Sequence, residues 1–342
     1  MKKKNLQLIL VLILFSGFNL KKIKYFTYPK YFPKPVYNFK NNFLDSNKIK
    51  LGRFLFYDPI LSSNNTISCA SCHSPYNAFS HSDHALSHGI NDQIGTRNAP
   101  ALFNLAWQKD FMWDGAVNHL DFQALSPISH PKEMNENFKN IILKLSKSKF
   151  YKKWYFKSFG DSIISGERTL KALSQFQITL VSTNSKYDRV KKGDEIFNLK
   201  EKKGYEIFLK KCNSCHREPL FSNYQFSKNG LPIDKTLNDY GRVVITKNPE
   251  DSLSFKIPSL RNLSYSSPYM HDGRFKTLHE VINHYNFDLY KNRNISPELM
   301  SFIPLNNKET VDLISFLKTL NDSSFIYNTK NKFPKELILN LK

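Results

Sequence analysis

The chain has 342 residues, with 50 lysines and arginines against 29 aspartates and glutamates, and a formal net charge of +21. This length suits two domains of ordinary size. The charge would suit a surface that binds an acidic redox partner. However, lysine is spread along the whole chain together with abundant asparagine, isoleucine and phenylalanine, so compositional drift is the favoured explanation of the charge. No nucleic-acid-binding motif accompanies the charge, which argues against a nucleic-acid-binding protein.

The amino terminus is typical of an export signal. Three lysines at positions 2–4 precede an apolar run at residues 6–20, which is short for a membrane span of about 20 apolar residues. No A-x-A cleavage sequence follows, so residues 1–22 are interpreted as an export signal or an uncleaved membrane anchor. Residues 23–40 contain three prolines among aromatic residues and lysines, lack periodicity, and are interpreted as a linker.

Two C-x-x-C-H sequences contain every cysteine of the chain. They comprise the residues Cys69, Cys72 and His73, and the residues Cys212, Cys215 and His216. In this pattern two thiols add to the haem vinyl groups, and the adjacent histidine becomes an axial iron ligand. Disulfides or a zinc site fit less well, because zinc ribbons separate their cysteine pairs by about 15 to 20 residues. The sequence therefore predicts two covalently bound haem c groups.

The remaining patterns are mainly helical. Apolar spacing predicts one helix that ends near Asn184, one just before Cys212 and one near the carboxyl end, and Thr277 begins a capping box that predicts a fourth. The apolar residues are Leu170, Leu173, Leu180, Val181, Tyr205, Ile207, Phe208, Leu313, Phe316, Leu317 and Leu320. We expect a mostly α fold of two cytochrome c-like haem domains with long loops, at residues 41–190 and 191–330, followed by a tail at 331–342.

Several ordered motifs between residues 51 and 321 resemble the bacterial dihaem cytochrome c peroxidases, which are related to MauG. They include FKIPSLRN at residues 255–262 and PYMHDGR at residues 268–274. The others are at residues 51–58, 66–73, 95–100, 113–115, 123–127 and 133–134. The resemblance implies an amino-terminal peroxidatic haem domain and a carboxyl-terminal haem domain that accepts electrons.

For the second haem, the resemblance implies His216 as the proximal ligand and Met270 as the second axial ligand. A His/Met pair raises the haem potential, so this haem would accept electrons. Enzymes of the MauG type carry a tyrosine ligand at this position instead. Tyr269 is adjacent to Met270, so the register of this segment has to be established from the structure.

For the first haem, the resemblance implies His73 as the proximal ligand and a distal pocket that contains Glu133 and Gln123. Glu133 would transfer protons between the two peroxide oxygens, and the Gln123 amide would orient peroxide or water. Some members of the family close this site in the oxidised state with a histidine. His88 resembles that ligand, and two nearby histidines, at positions 81 and 84, compete with it.

The resemblance also assigns two roles between the haems. Trp113 matches a tryptophan that relays electrons between the two irons. Asn98 resembles a ligand of an interdomain calcium ion, with backbone carbonyl ligands expected from Lys256 and Pro258. Neutral oxygen ligands of this kind suit calcium.

The expected activity is reduction of hydrogen peroxide to water, with electrons from a small periplasmic cytochrome c or cupredoxin. The haem-attachment motif and the export signal agree on a periplasmic destination, with a membrane-tethered form as the alternative. A homodimer is compatible with the resemblance. Two other functions stay open: a MauG-like oxidase of another substrate, and a dihaem electron carrier without peroxide chemistry.

Overall fold

The computed structural model describes residues 26–81, 84–289 and 295–338. The segment interpreted as an export signal or anchor, at residues 1–22, lies outside these ranges. Within them the chain is mainly helical, with one two-stranded antiparallel sheet. Across the same ranges, no helix is both long and apolar enough to cross a bilayer.

The elements are named in chain order. The helices are α1 Ser46–Tyr57, α2 Cys69–Cys72, α3 Leu120–Gln123, α4 Leu125–Ser129, α5 Phe138–Lys147, α6 Lys149–Phe159, α7 Gly166–Ile178, α8 Lys186–Lys192, α9 Leu199–Lys211, α10 Val243–Thr246, α11 Leu278–Asn283, α12 Pro297–Met300, α13 Asn307–Lys318, α14 Ser323–Ile326 and α15 Lys335–Ile338. The strands are β1 Phe226–Ser227 and β2 Phe255–Lys256, with Phe226 opposite Lys256 and Ser227 opposite Phe255.

The described residues form two hydrophobic cores, here called the cores of the first and the second unit, and each is built on a crossing of two helices. The predicted domain boundaries stay a prediction. Helix α1 crosses α7 at Gly52, where a Cβ atom would lie 1.8 Å from the carbonyl oxygen of Ala172. Helix α9 crosses α13 at Gly204, where a Cβ atom would lie 2.0 Å from the carbonyl oxygen of Asp312. A glycine therefore allows the close helix contact in each unit. Both units therefore have a glycine at their main helix crossing.

Three of the four predicted helices are confirmed. Helix α9 ends directly before Cys212, α11 begins after a capping box at Thr277, and α13 carries the predicted apolar face. The fourth, α7, ends at Ile178, earlier than predicted. Side chains distant in sequence bind the backbone that follows α7. The Asn104 amide oxygen accepts from the N–H of Ser182, and the Asp322 carboxylate accepts from the next two N–H groups.

Both ends of the described chain pack on the first unit. Phe32 lies in the first core, and the indole Nε1 of Trp107 donates to the Pro33 carbonyl at 2.7 Å. The described part of the segment interpreted as a linker is therefore packed against the protein. At the other end, Phe325 and Leu337 also belong to the first core, so the chain returns to the first unit after completing the second.

Candidate functional site

The first C-x-x-C-H motif forms a short helix that presents its histidine from a fixed side. Cys69 and Cys72 are the ends of α2, and His73 follows directly. The His73 Nδ1 lies 2.8 Å from the Phe79 carbonyl oxygen, so Nδ1–H donates and the Nε2 lone pair is left for a metal. Burial lowers the pKa of His73 to about 4, so the imidazole is neutral at neutral pH, as an iron ligand must be.

Glu133 lies within electrostatic reach of this cysteine pair. Burial is the main cause that raises the pKa of Cys69 to about 12 and of Cys72 to about 11, and the Glu133 carboxylate adds to both increases. Burial also raises the pKa of Glu133 itself, although His130, 3.8 Å away, opposes the increase. The Glu133 side chain is still 32 % exposed, so a small molecule can reach it from solvent. A solvent-accessible carboxyl of raised pKa is a candidate proton-transfer group.

Gln123 is held by a residue that the sequence did not indicate. Gln177, buried on α7, donates from Nε2 to the Gln123 Oε1 at 3.1 Å, and the Gln123 Nε2 lies 3.8 Å from the Met112 sulfur. The amide orientation of Gln123 is therefore fixed. Gln177 is 54 residues away from Gln123 in sequence, so no local sequence pattern indicates this hydrogen bond.

His88 lies close to the cysteine pair. Its carbonyl oxygen is 3.4 Å from the Cys72 sulfur, and its Nδ1 is 2.7 Å from an Asp92 carboxylate oxygen. The His88 ring stacks on the His84 ring with 4.4 Å between centroids, and His84 stacks in turn on His81. Because these rings are stacked, their nitrogen atoms do not point toward one common metal position. Ligation of the first iron by His88 stays a prediction.

The second C-x-x-C-H motif opens onto a large, mainly apolar cavity that Cys212, Cys215, His216 and Met270 line together. The His216 Nδ1 is 3.1 Å from the Pro258 carbonyl oxygen, which leaves Nε2 for a metal, and burial lowers the pKa of His216 to about 4. The apolar lining includes Val281, Ile282, Leu299, Phe302, Leu313 and Leu317. The predicted cysteine, histidine and methionine residues are therefore brought to one cavity.

Met270, rather than Tyr269, presents its side chain as the candidate second ligand. Met270 has a positive φ of 76°, and the Asn229 amide nitrogen lies 3.6 Å from its sulfur. The Tyr269 hydroxyl donates to the Leu263 carbonyl at 2.9 Å. Since this hydroxyl is already bound to backbone, the arrangement favours a thioether ligand at this position.

Trp113 is buried between the two units and is bonded to the segment that carries Met270. Its indole Nε1 donates to the Asn98 carbonyl at 2.8 Å, and the Asn98 N–H donates to the His271 carbonyl at 2.7 Å. His271 is covalently joined to Met270. A continuous path of two hydrogen bonds and short backbone segments therefore connects the candidate ligand to the indole.

Ionic contacts fix this junction. Arg97 donates through Nε to Asp239 at 2.6 Å and through Nη1 to Asp114 at 2.6 Å. Asp239 belongs to the second unit and Asp114 directly follows Trp113. The pair of carboxylates therefore holds the tryptophan segment against the second unit.

The comparison with known proteins assigns the chain to a family. The family described as di-haem cytochrome c peroxidase matches residues 46–196. The chain is 34% identical over 310 residues to the methylamine utilization protein MauG of Methylophilus methylotrophus, covering 89% of this chain and 90% of that protein. The chain belongs to the dihaem cytochrome c peroxidase and MauG family. It is also 33% identical to the cytochrome c551 peroxidase of Nitrosomonas europaea, over 81% of this chain and 80% of that protein.

The fold of this dihaem family member agrees with a solved relative. The crystal structure of a MauG-like protein associated with microbial copper homeostasis superposes with a TM-score of 0.84 at 30% identity, covering 91% of this chain and 99% of the other. The engaged Nδ1 atoms of His73 and His216 fit the two haem groups that the family name implies, and the apolar cavity fits the second of them. A mostly α fold is confirmed.

The residues predicted to bind calcium have other contacts in this family member. The Pro258 carbonyl faces His216, and the Asn98 backbone bonds to Trp113 and His271. The Lys256 side chain extends to the first unit, where its ammonium donates to Gln108. Among the described residues, no group of three or more histidine, cysteine or acidic side chains could hold a metal ion. Calcium binding through neutral oxygens stays a prediction.

Proposed function

We propose that this protein is a periplasmic dihaem c peroxidase that uses two electrons and two protons to convert one hydrogen peroxide into two waters. The observation that carries the proposal is Glu133, a solvent-accessible carboxyl of raised pKa beside the first cysteine pair. Cys69 and Cys72 would attach one haem, and Cys212 and Cys215 the other. The haem irons supply the redox centres that bind peroxide and pass electrons.

The protein side chains at the first site would manage protons. Cleavage of the O–O bond requires a proton to leave the bound oxygen and to arrive at the departing one, and the Glu133 carboxylate can accept and then donate it. Gln123, fixed by Gln177, would direct its amide at peroxide or water. Because its orientation is set before substrate arrives, no reorganisation is needed during the reaction.

The second site would receive the electrons. A thioether ligand from Met270 favours reduced iron and so gives this haem the higher potential. The hydrogen-bonded path from His271 through Asn98 to Trp113 supports transfer toward the first site. The electron donor in this proposal is a small cytochrome c or cupredoxin, in keeping with the relatives named as cytochrome c peroxidases.

A MauG-like oxidase is the second candidate function, because relatives named MauG are as similar to this chain as those named peroxidases. A tyrosine-ligated second haem would favour it. The Tyr269 hydroxyl bonded to the Leu263 carbonyl, and the amide of Asn229 beside the Met270 sulfur, support the peroxidase instead. A simple electron carrier would have no need of Glu133.

The decisive experiment mixes the haem-loaded protein with peroxide and a reduced small cytochrome c, with and without prior reduction of the second haem. Peroxide-dependent oxidation of the donor supports the peroxidase, and a requirement for prior reduction supports a displaceable ligand such as His88. Absence of turnover in both states with several cytochrome and cupredoxin donors would reject the peroxidase. Export of the full chain to the periplasm, checked by fractionation, tests the proposed location.

A further inference from the structure

Tyr224 combines two unfavourable features beside the second haem cavity. Its hydroxyl is buried and, among the residues that the structure describes, has no hydrogen-bond partner. Its backbone φ is +56°, a conformation that bulky residues rarely adopt. Buried hydroxyls are normally bonded, and strained backbone persists where the surrounding structure requires it. Tyr224 lines the cavity, so a partner for its hydroxyl is expected there.

Lys256 presents a second unusual group to the same cavity. Its ammonium donates to the Gln108 Oε1 and to the Asp110 backbone carbonyl, each at 3.0 Å, and neither acceptor is charged. A cation held partly away from water is normally stabilised by a hydrogen-bonded anion. An ammonium has three donors, so one is left for such an anion.

Other cations along the cavity already have partners. The Arg261 guanidinium donates to both carboxylate oxygens of Asp188, each at 2.8 Å. Lys211 lies next to Cys212 and donates to the Ile303 carbonyl at 3.0 Å. Asp188 therefore neutralises Arg261, and Lys211 makes its contact in an exposed position where water solvates it. Lys256 differs from both, because its contacts are partly buried and its acceptors are neutral.

The chemistry of haem attachment indicates which anion reaches Tyr224 and Lys256. Haem is a dicarboxylic acid whose two propionates lie on the edge opposite the vinyl groups, and Cys212 and Cys215 would hold the vinyl edge. Trp113 and Met112 of the first unit line the same cavity as these cysteines, and Lys256 binds the first unit through Gln108. The propionate edge would lie away from these cysteines, and Tyr224 and Lys256 are lining residues of the same cavity.

We propose that the Tyr224 hydroxyl and the Lys256 ammonium bind a propionate carboxylate of the second haem. This inference rests on the proposed haem attachment and is independent of peroxide reduction. A hydrogen bond and a cation at the propionate offset its negative charge, which otherwise favours ferric iron. The two residues therefore raise the potential of the electron-accepting haem, in addition to the effect of Met270.

The test is a redox titration of the haem-loaded Tyr224→Phe and Lys256→Gln variants, combined with resonance Raman spectra of the haem propionate bending modes. We expect the midpoint potential of the second haem to fall in both variants, with a shift of its propionate mode and unchanged potential of the first haem. Matched controls remove the same groups elsewhere in the second unit. Tyr205→Phe loses a hydroxyl that is bonded to Glu218, and Lys211→Gln loses a half-exposed ammonium at the vinyl edge.

Each result has one meaning. A lower potential and a shifted propionate mode in both test variants, with smaller or no changes in the controls, support the site. Unchanged potential and mode in Tyr224→Phe, with two covalent haems counted by the pyridine haemochrome assay, would overturn the assignment of the hydroxyl even if Lys256→Gln changes both. Absence of covalent haem in the wild-type protein would instead reject the proposed haem attachment. The haems are therefore counted before the titration.

Discussion

Glu133→Gln is the substitution that tests the proposed chemistry most directly. Glutamine preserves the size and most hydrogen bonds of the side chain but cannot accept a proton from peroxide. Loss of a general acid–base group slows reactions by about 100- to 10,000-fold. The Glu133 side chain is 32 % exposed, so water can replace part of its function. We therefore expect a loss at the lower end of the range, about 100-fold in turnover.

The pH dependence provides a second measure on the same variant. Burial raises the pKa of Glu133 above its usual range, with His130 opposing the increase. The carboxylate form, which accepts the peroxide proton, is lost as the pH falls through this raised pKa. Wild-type turnover should therefore decrease on the acidic side, and this decrease should be absent in Glu133→Gln.

The assay follows oxidation of a reduced small cytochrome c by peroxide across a pH series, after the haem content of each variant has been equalised. Glu167→Gln is the matched control, because Glu167 lies on α7 of the same unit with a side chain that is 73 % exposed. Its turnover should stay within about twofold of wild type. Wild-type rates in Glu133→Gln, or an unchanged acidic decrease, would refute the acid–base role.

Three further substitutions test the surrounding structure. Met270→Leu should lower the potential of the second haem because the thioether ligand is lost; an unchanged redox titration would exclude Met270 as a ligand. Gln177→Met should reduce turnover about fivefold at unchanged donor affinity, since the hydrogen bond that orients Gln123 contributes about 1 kcal/mol; wild-type turnover would contradict this. Arg261→Met should lower the free energy of unfolding by about 3 kcal/mol because Asp188 stays buried without its cation, and an unchanged urea midpoint would argue against that pairing.

Part of this protein follows from local sequence alone. Cys212, Cys215 and His216 need only their own spacing to define a haem-attachment motif, and the Thr277 capping box forms between residues three apart. The apolar positions of α13 repeat with the helical period, so its buried face is also predictable. Interactions of this range are properties of a short segment and do not depend on the rest of the fold.

The details of the site depend on residues far apart in sequence. Helix α7 ends at Ile178 because Asn104 and Asp322 bind the amides that follow, and periodicity alone extends it too far. Gln177 shows no sequence signal, since its role exists only where α7 meets Gln123. The resemblance to a family supplied the identity of Gln123 and Glu133. The fixed orientation of Gln123 and the raised pKa of Glu133 come from packing.

The sequence by itself determined the two attachment motifs, their proximal histidines and the mainly helical character of the chain, because these depend on spacing within a few residues. Only the tertiary structure shows that the Tyr269 hydroxyl is bonded to backbone, which favours Met270 as the candidate second ligand, and that Asn98 joins Trp113 to the segment of Met270. Burial and hydrogen bonding between distant segments control these properties. The Tyr269 hydrogen bond forms when the second unit folds, and the contacts from Trp113 through Asn98 to His271 form only when the two units pack together.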